Sequence, residues 1–143
     1  MRPLLGSTLL ALAGLVPALA GQDSLPQAVA RAFHQTYPAA IVLHVSKERR
    51  EGKVVYEIES RDGATRRDLI YTTAGEVLEI EERIPPDSVP PAVRAAADSR
   101  VKGGTLVGAE RVTRGAVVLF EVQMRRNGRS TFLTFDREGR PSE

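Results

Sequence analysis

The chain has 143 residues, with 20 Lys and Arg, 18 Asp and Glu, two histidines, no cysteine and a formal net charge of +2. The lack of cysteine excludes disulfides, a thiol nucleophile and a lipid-modified cysteine anchor. The charges are nearly balanced and no basic block is interleaved with aromatic residues, so nucleic-acid binding is not indicated. The length favours one ordinary domain or two very small units packed together.

The first twenty residues show the three-part pattern of a secretory signal peptide. Arg2 precedes an apolar run from Leu4 to Leu19, and Ala18-Leu19-Ala20 is a small-x-small cleavage pattern. The run is short for a membrane crossing, which needs about 20 residues. We therefore predict a signal peptide over residues 1–20 and export to the periplasm or the exterior. An uncleaved anchor is the alternative.

Similar phrases recur 64 positions apart along the rest of the chain. Leu25-Pro-Gln-Ala-Val returns as Val89-Pro-Pro-Ala-Val, Tyr56-Glu-Ile returns as Phe120-Glu-Val, and Gly75 returns as Gly139. A fixed offset without a gap is typical of a duplicated unit. We predict a first unit over residues 21–84 and a second over residues 85–143.

The first unit is predicted to begin with a helix. Apolar residues recur at helical spacing from Leu25 to Tyr37, and Pro38 ends the helix because the residue before proline disfavours helical backbone. Strands are expected near 41–50, 53–61, 66–73 and 76–84, where apolar and polar residues alternate between turn signals.

The second unit follows the same order. Its helix is expected from Val89 to the Gly103-Gly104 pair, and its strands near 105–114, 116–125 and 130–136, with a hairpin at Asn127-Gly128. Helices followed by antiparallel strands predict an α+β fold of two tandem helix-plus-antiparallel-sheet units, each helix packing on its own sheet.

The second unit is predicted to lack its last strand. Gly75 is followed by a good strand, but Gly139 is followed only by Arg140-Pro-Ser-Glu. This leaves a sheet edge near residues 131–136, where open edges attract other strands unless charges or proline guard them. Arg137, Arg140 and Pro141 have the character of guards, and a dimer or partner strand at this edge is the alternative.

The two halves differ in charge. Residues 21–84 carry 9 basic and 11 acidic groups, and residues 85–143 carry 10 and 7. This is compatible with an ordinary solvated surface. It is also compatible with halves that attract each other, or with a polarised face for a partner.

Several of these residues resemble a known family. Leu-Pro-x-Ala-Val, the Tyr37-Pro38 helix end, Lys47-Glu48, Tyr56-Glu-Ile-Glu and Gly75-Glu-Val-Leu resemble the PepSY-like domain, in the branch related in fold to beta-lactamase inhibitor protein. The resemblance covers the chain after the signal peptide as two copies, the second weaker. It implies an exported domain suspected of binding and inhibiting peptidases, with no catalytic residues to carry over.

Motifs for chemistry are absent from the sequence. No G-x-S-x-G elbow occurs, and only His34 and His44 are available as imidazoles, both predicted at the surface. Two scattered histidines without cysteine make a poor zinc set, and no loop has alternating calcium ligands. We therefore predict no catalytic residue, no cofactor, no metal and no enzymatic activity.

The remaining candidate is a sheet face. If Tyr56, Ile58 and Leu69 face a helix, the opposite face presents charged residues and outward apolar side chains, a mixture typical of protein-binding surfaces. Its predicted members are Val55, Glu57, Glu59, Arg66, Asp68, Ile70, Leu119, Glu121, Gln123 and Phe132. The alternative is that the two units cover part of this face by packing together.

These observations predict an exported, non-enzymatic protein that binds a protein or peptide, with inhibition or regulation of an envelope peptidase or other hydrolase as its concrete form. Two alternatives stay open. One is a small-ligand carrier or enzyme, which would bring Glu57, Glu121 and His44 around one cavity. The other is a structural module that dimerises through the sheet edge.

Overall fold

Short turns with left-handed backbone connect successive strands of this chain. Asn127 and Gly128 have φ of 50° and 74°, and Glu51 and Gly52 have φ of 51° and 78°, as two-residue hairpins require. The computed structural model describes residues 25–142. The elements are helix α1 Gln27–Thr36, strands β1 Ile41–Arg50, β2 Lys53–Asp62, β3 Thr65–Thr72 and β4 Val77–Arg83, a 3-10 helix Pro86–Ser88, helix α2 Pro91–Arg100, and strands β5 Thr105–Arg114, β6 Val117–Arg126 and β7 Arg129–Asp136.

All seven strands form one antiparallel sheet, in the order of the chain from β1 to β7. The prediction of two tandem helix-plus-sheet units is therefore wrong, although each predicted element exists within a few residues of its expected place. The halves join because β4 pairs with β5, with Ile80 opposite Thr113 and Arg83 opposite Glu110. Without this pairing, β4 and β5 would each be an open edge strand. In the single sheet, their backbone N–H and C=O groups form hydrogen bonds with each other.

Opposite charges meet at this junction. Glu82 of β4 lies 2.6 Å from Arg111 of β5, Arg83 lies 3.7 Å from Glu110, and Glu79 pairs with Arg114. Opposite charges placed across neighbouring strands favour their pairing. The charge difference between the halves thus contributes to an attraction between them, edge to edge, rather than face to face.

Both helices pack on the same face of the sheet. Val29 and Phe33 of α1 are buried with Ile58 and Leu69, and Val93 of α2 belongs to a second core. That second core contains Ala97, Ala109, Phe120, Val122, Met124 and Phe135. Paired residues share a face, and the register runs from Leu69 through Ile80 and Thr113 to Val118, which packs against the second core.

Positions 64 residues apart have matching local geometry within this one sheet. β1 has a bulge between Val42 and His44, and β5 has one between Leu106 and Gly108. The turns after β3 and β7 each place a glycine with positive φ against the first turns of a helix. The 64-residue repeat in the sequence therefore recurs in the structure as equivalent bulges and turns within one sheet.

The edge beside β7 is partly covered. The Ser142 amide donates to the Thr134 carbonyl oxygen over 2.9 Å, and Pro141 forms a bridge with Phe135. The predicted open edge at 131–136 is therefore occupied at its end, and Arg129–Leu133 is the part of β7 that has no second strand neighbour among residues 25–142. Arg140, one of the predicted guards, lies 2.6 Å from Asp136.

The predicted signal peptide lies outside the described residues. Among residues 25–142, neither helix has the length and apolar character needed to cross a membrane.

Candidate protein-binding face

The sheet face opposite α1 and α2 carries every residue predicted for protein binding. We call it the open face, since neither described helix lies on it. Strand residues alternate between faces, so Val55 and Glu57 lie opposite the buried Tyr56 and Ile58 of the helix side. The predicted members are divided between β2 and β3 (Val55, Glu57, Glu59, Arg66, Asp68, Ile70) and β6 and β7 (Leu119, Glu121, Gln123, Phe132).

Three of the predicted apolar contacts are buried. Val55, Ile70 and Leu119 are each less than 9% exposed, whereas Phe132 is 46% exposed. Ile70 lies in register between Glu57 of β2 and Glu79 of β4, so longer side chains flank it. Ile70 and Leu119 therefore lie on the open face as predicted, but neighbouring side chains bury them, and Phe132 is the predicted apolar residue that a partner can reach.

Carboxylates on the open face stand directly opposite one another. Asp68 of β3 pairs with Glu59 of β2 and with Glu81 of β4, and Glu110 of β5 pairs with Glu121 of β6. Burial, and then the charges of neighbouring carboxylates, raise the pKa of Glu81 to about 7. Burial followed by nearby carboxylates also raises the pKa of Asp68 and of Glu121. Like charges in this position destabilise a sheet, so the open face is electrostatically strained.

A pair of carboxyl groups lies near the β1 edge of this face. Burial, and then the hydrogen bond shared with Glu48, raise the pKa of Glu57 to about 7, and the same hydrogen bond leads the causes that lower the pKa of Glu48. The Ser46 hydroxyl lies 3.4 Å from Glu48 and 3.5 Å from Glu57. One proton shared between the two carboxyls accounts for the opposite directions.

Glu79 is a carboxylate of the open face that two arginines neutralise. It is buried, lies 3.3 Å from Arg50 and pairs with Arg114. Burial opposes ionisation of Glu79, but hydrogen bonds and charge from Arg114 and Arg50 hold its pKa below the ordinary value. The ion pairs with Glu79 therefore hold the side chains of Arg50 and Arg114 in place. Both arginines are then less available to neutralise the other carboxylates of the open face.

We expect the protein to lose stability as the pH rises from 5 to 8. Glu57 and Glu81 have folded pKa values of about 7 against an ordinary 4.5, so the folded state holds more protons than the unfolded state between these values. After solvent screening, each contributes about 1 kcal/mol to this loss. The pKa of Glu79 is shifted in the opposite direction, so this residue stabilises the folded state above its ordinary pKa. That contribution to the free energy of unfolding is lost only as the pH falls below about 4.5.

Urea unfolding at pH 5 and pH 8 measures this effect. Glu81→Gln should reduce the difference between the two free energies of unfolding, while Glu76→Gln, at an exposed position, should leave it unchanged. An E81Q protein that keeps the full difference would show that Glu81 titrates normally in the folded state.

Residues 25–142 line clefts on this side of the molecule, and two of these clefts contain predicted site residues. The larger has a volume of about 560 Å³ and lies between strands β5–β7 and the linker after β4, so we call it the linker cleft. Ile84, Pro85 and Pro86 form its linker wall, and Glu110, Glu121 and Phe132 lie on its sheet side. The smaller cleft, of about 260 Å³, includes Glu59, Asp68, Glu81 and Arg83.

The three residues that an enzyme or small-ligand carrier was predicted to bring around one cavity do not line a common cleft. Glu121 lines the linker cleft, but Glu57 and His44 line neither of these two clefts. His34 and His44 are both exposed, as the sequence predicts. Among residues 25–142, no three acidic or histidine side chains are grouped so that they could hold a metal ion.

Three residues of the linker cleft, Glu121, Gln123 and Phe132, were predicted from the sequence, and the other lining residues were not: Ala64, Arg83, Ile84, Pro85, Pro86, Val107, Gly108, Ala109 and Glu110. A sequence signal exists for one of them. Gly108 lies inside a strand, where glycine often marks a bulge or a close approach, and it stands 64 positions after His44.

Comparison with known proteins identifies the fold. No family profile and no curated protein sequence matches the chain. A solved structure of a candidate periplasmic protein from Bacteroides eggerthii matches with a TM-score of 0.70 and 16% identity, over 85% of this chain and 88% of that one. A DUF2874 family protein from Bacteroides uniformis matches with a TM-score of 0.68 and 18% identity, over 82% and 86%. A BLIP-like protein from Bacteroides fragilis matches with a TM-score of 0.64 and 19% identity, over 91% and 86%.

These likenesses establish a fold similar to that of BLIP-like proteins, which agrees with the predicted relation to the fold of beta-lactamase inhibitor protein. The PepSY-like assignment remains a prediction. The similarity to a candidate periplasmic protein is compatible with export.

Proposed function

We propose that this chain is an exported, non-enzymatic protein that binds a partner protein through the open face and inhibits or regulates an envelope peptidase or other hydrolase. The observation that carries the proposal is an exposed aromatic side chain, Phe132, that lines a cleft together with two carboxylates, Glu110 and Glu121, standing opposite each other on neighbouring strands. Exposed aromatics at the margin of a concave surface are frequent anchors of protein interfaces.

The fold supports this function by analogy. One of the similar solved structures bears the name BLIP-like, and another is described as a candidate periplasmic protein. Inhibition by this route requires no catalytic group, because a complementary surface suffices to cover the active site of the target.

A second candidate, dimerisation through a sheet edge, is favoured by the Arg129–Leu133 segment of β7, which has no second strand neighbour within the described range 25–142. A monomer in analytical ultracentrifugation at high protein concentration would remove this candidate.

The proposed function can be tested by measuring whether the immobilised protein retains a partner. The protein, purified after export and immobilised, should retain a hydrolase from an envelope extract of the source organism, and should reduce the activity of that hydrolase in solution. A bound protein without hydrolase activity would narrow the function to binding alone, and the absence of any retained protein would contradict the proposal.

Phe132→Ala is expected to weaken retention of the partner about tenfold or more, as the loss of an aromatic anchor does. The thermal unfolding midpoint should change little, because the Phe132 side chain is exposed. Gln35→Ala, at an exposed position of α1 on the helix side, is the matched control and should retain the partner normally. Unchanged retention by F132A would place the interface elsewhere.

A further inference from the structure

The linker cleft differs from the corresponding place in the first half of the sheet. With the offset of 64, Val107, Gly108, Gln123 and Phe132 correspond to Leu43, His44, Glu59 and Asp68. In the second half, an imidazole is therefore replaced by no side chain at all, and two carboxylates are replaced by an amide and a phenyl ring. These replacements leave more space and more apolar surface at the β5–β7 end of the open face.

The backbone does not require glycine at position 108. Gly108 does not belong to the glycines with positive φ among residues 25–142, so an ordinary side chain is compatible with its conformation. A Cβ at this position would lie 3.2 Å from the Gln123 amide oxygen and 3.6 Å from the Gln123 Cβ. The glycine therefore keeps a side chain out of the cleft without serving a turn.

The sheet side of the cleft holds negative charge that the protein only partly neutralises. Glu110 and Glu121 are directly opposite each other on neighbouring strands. Arg83 lines the same cleft and forms the one ion pair of Glu110, at 3.7 Å, while Glu121 has no ion pair among residues 25–142. Placing like charges opposite each other weakens a sheet, so a cation supplied from outside would be favoured here.

The rim of the same cleft is apolar. Phe132 is 46% exposed and Val107 is 39% exposed, and both line the cleft. An arginine side chain matches this combination, since its planar guanidinium can bond two carboxylates at once and stack on an aromatic ring.

We propose that the linker cleft receives an arginine side chain from an exposed loop of the partner, with the guanidinium between Glu110 and Glu121 and an apolar neighbour in that loop against Phe132 and Val107. This inference rests on the proposed function and adds the chemistry of the partner to it.

The test uses two short peptides and the protein purified after export. One peptide is acetyl-Gly-Phe-Arg-Phe-Gly-amide, and the other replaces its arginine with citrulline, which has nearly the same shape and no charge. Titration followed by NMR should shift the amide resonances of Gly108 and Glu121 with the arginine peptide, and citrulline should bind at least about tenfold more weakly. Equal binding of the two peptides would overturn the proposal.

Glu121→Gln separates a binding role from a structural one. Removing one of two opposed charges should raise the thermal unfolding midpoint by about 2 °C and weaken the arginine peptide about fivefold or more. Gly108→Leu, which fills the cleft, should abolish peptide binding, while Glu76→Gln at an exposed site outside the cleft should change neither property. An E121Q protein that binds the arginine peptide normally would overturn the proposal.

Other occupants give different results. Calcium chloride that shifts the same resonances, and loses this effect in E121Q, would indicate a metal site instead. Self-association that E121Q abolishes would indicate a second copy of the chain. Both outcomes contradict a partner arginine. If Phe132→Ala loses the retained hydrolase while E121Q and G108L keep it, the proposed function stands and the arginine proposal fails. Arginine-specific peptide binding without any retained protein would instead contradict the proposed function.

Discussion

Replacing Gly139 with alanine is expected to lower the free energy of unfolding by about 3 kcal/mol. Two effects combine at this position. The residue has a φ of 79°, which costs a residue with a Cβ about 1 kcal/mol. The added Cβ would also lie 2.5 Å from the Ala92 carbonyl oxygen of α2, a backbone atom that cannot move without displacing the helix.

Gly75 should respond in the same way, because its Cβ would lie 2.6 Å from the Ala28 carbonyl oxygen of α1 with φ at 86°. Gly63 is the matched control. Its φ is 57°, but nothing lies within 4 Å of an added Cβ, so Gly63→Ala should cost only about 1 kcal/mol. Urea unfolding followed by circular dichroism measures the three proteins. Equal losses in all three would show that the helix contact contributes nothing.

The strands of this fold were predictable because their signals are local. Alternation along Val54–Ser60 and the hairpin residues at Asn127-Gly128 are each read within a few residues, and the observed bounds agree closely. The single sheet was not predicted because it depends on β4 and β5, which are separated by the 3-10 helix and α2. The charges along β4 and β5 are complementary when the two strands run antiparallel: Glu79 pairs with Arg114, Glu82 with Arg111 and Arg83 with Glu110. The net charge of each half only suggested this residue-by-residue pattern.

The candidate site was predictable to the level of a face and no further. Period-two alternation assigned Glu57, Glu121 and Phe132 to the side opposite the helices. It could not show that Ile70 and Leu119 are buried there, because burial on a face without a helix depends on the side chains of neighbouring strands. The linker cleft was missed for a similar reason, since it requires the Pro85-Pro86 linker to lie beside β5.

Phe33→Ala is expected to cost about 3–5 kcal/mol, as for a fully buried phenylalanine. Phe33 has no exposed surface and packs in the first core. The corresponding residue in the second half is Ala97, which is equally buried. The second half has Met124 where the first half has the buried Ser60. A large helix residue and a small strand residue on the helix side of the sheet are thus exchanged, in the second half, for a small helix residue and a large strand residue.

This exchange predicts that Ser60→Met should partly rescue Phe33→Ala. Alone, S60M overfills the first core and should cost about 1–3 kcal/mol, but in the double variant the methionine can occupy space left by the phenyl ring. The two changes should therefore be non-additive by about 2 kcal/mol in a double-mutant cycle measured by urea unfolding. Phe33→Ala combined with Val122→Ala, which lies in the second core, should be additive. Additive losses for F33A and S60M would show that the two positions do not share the same space.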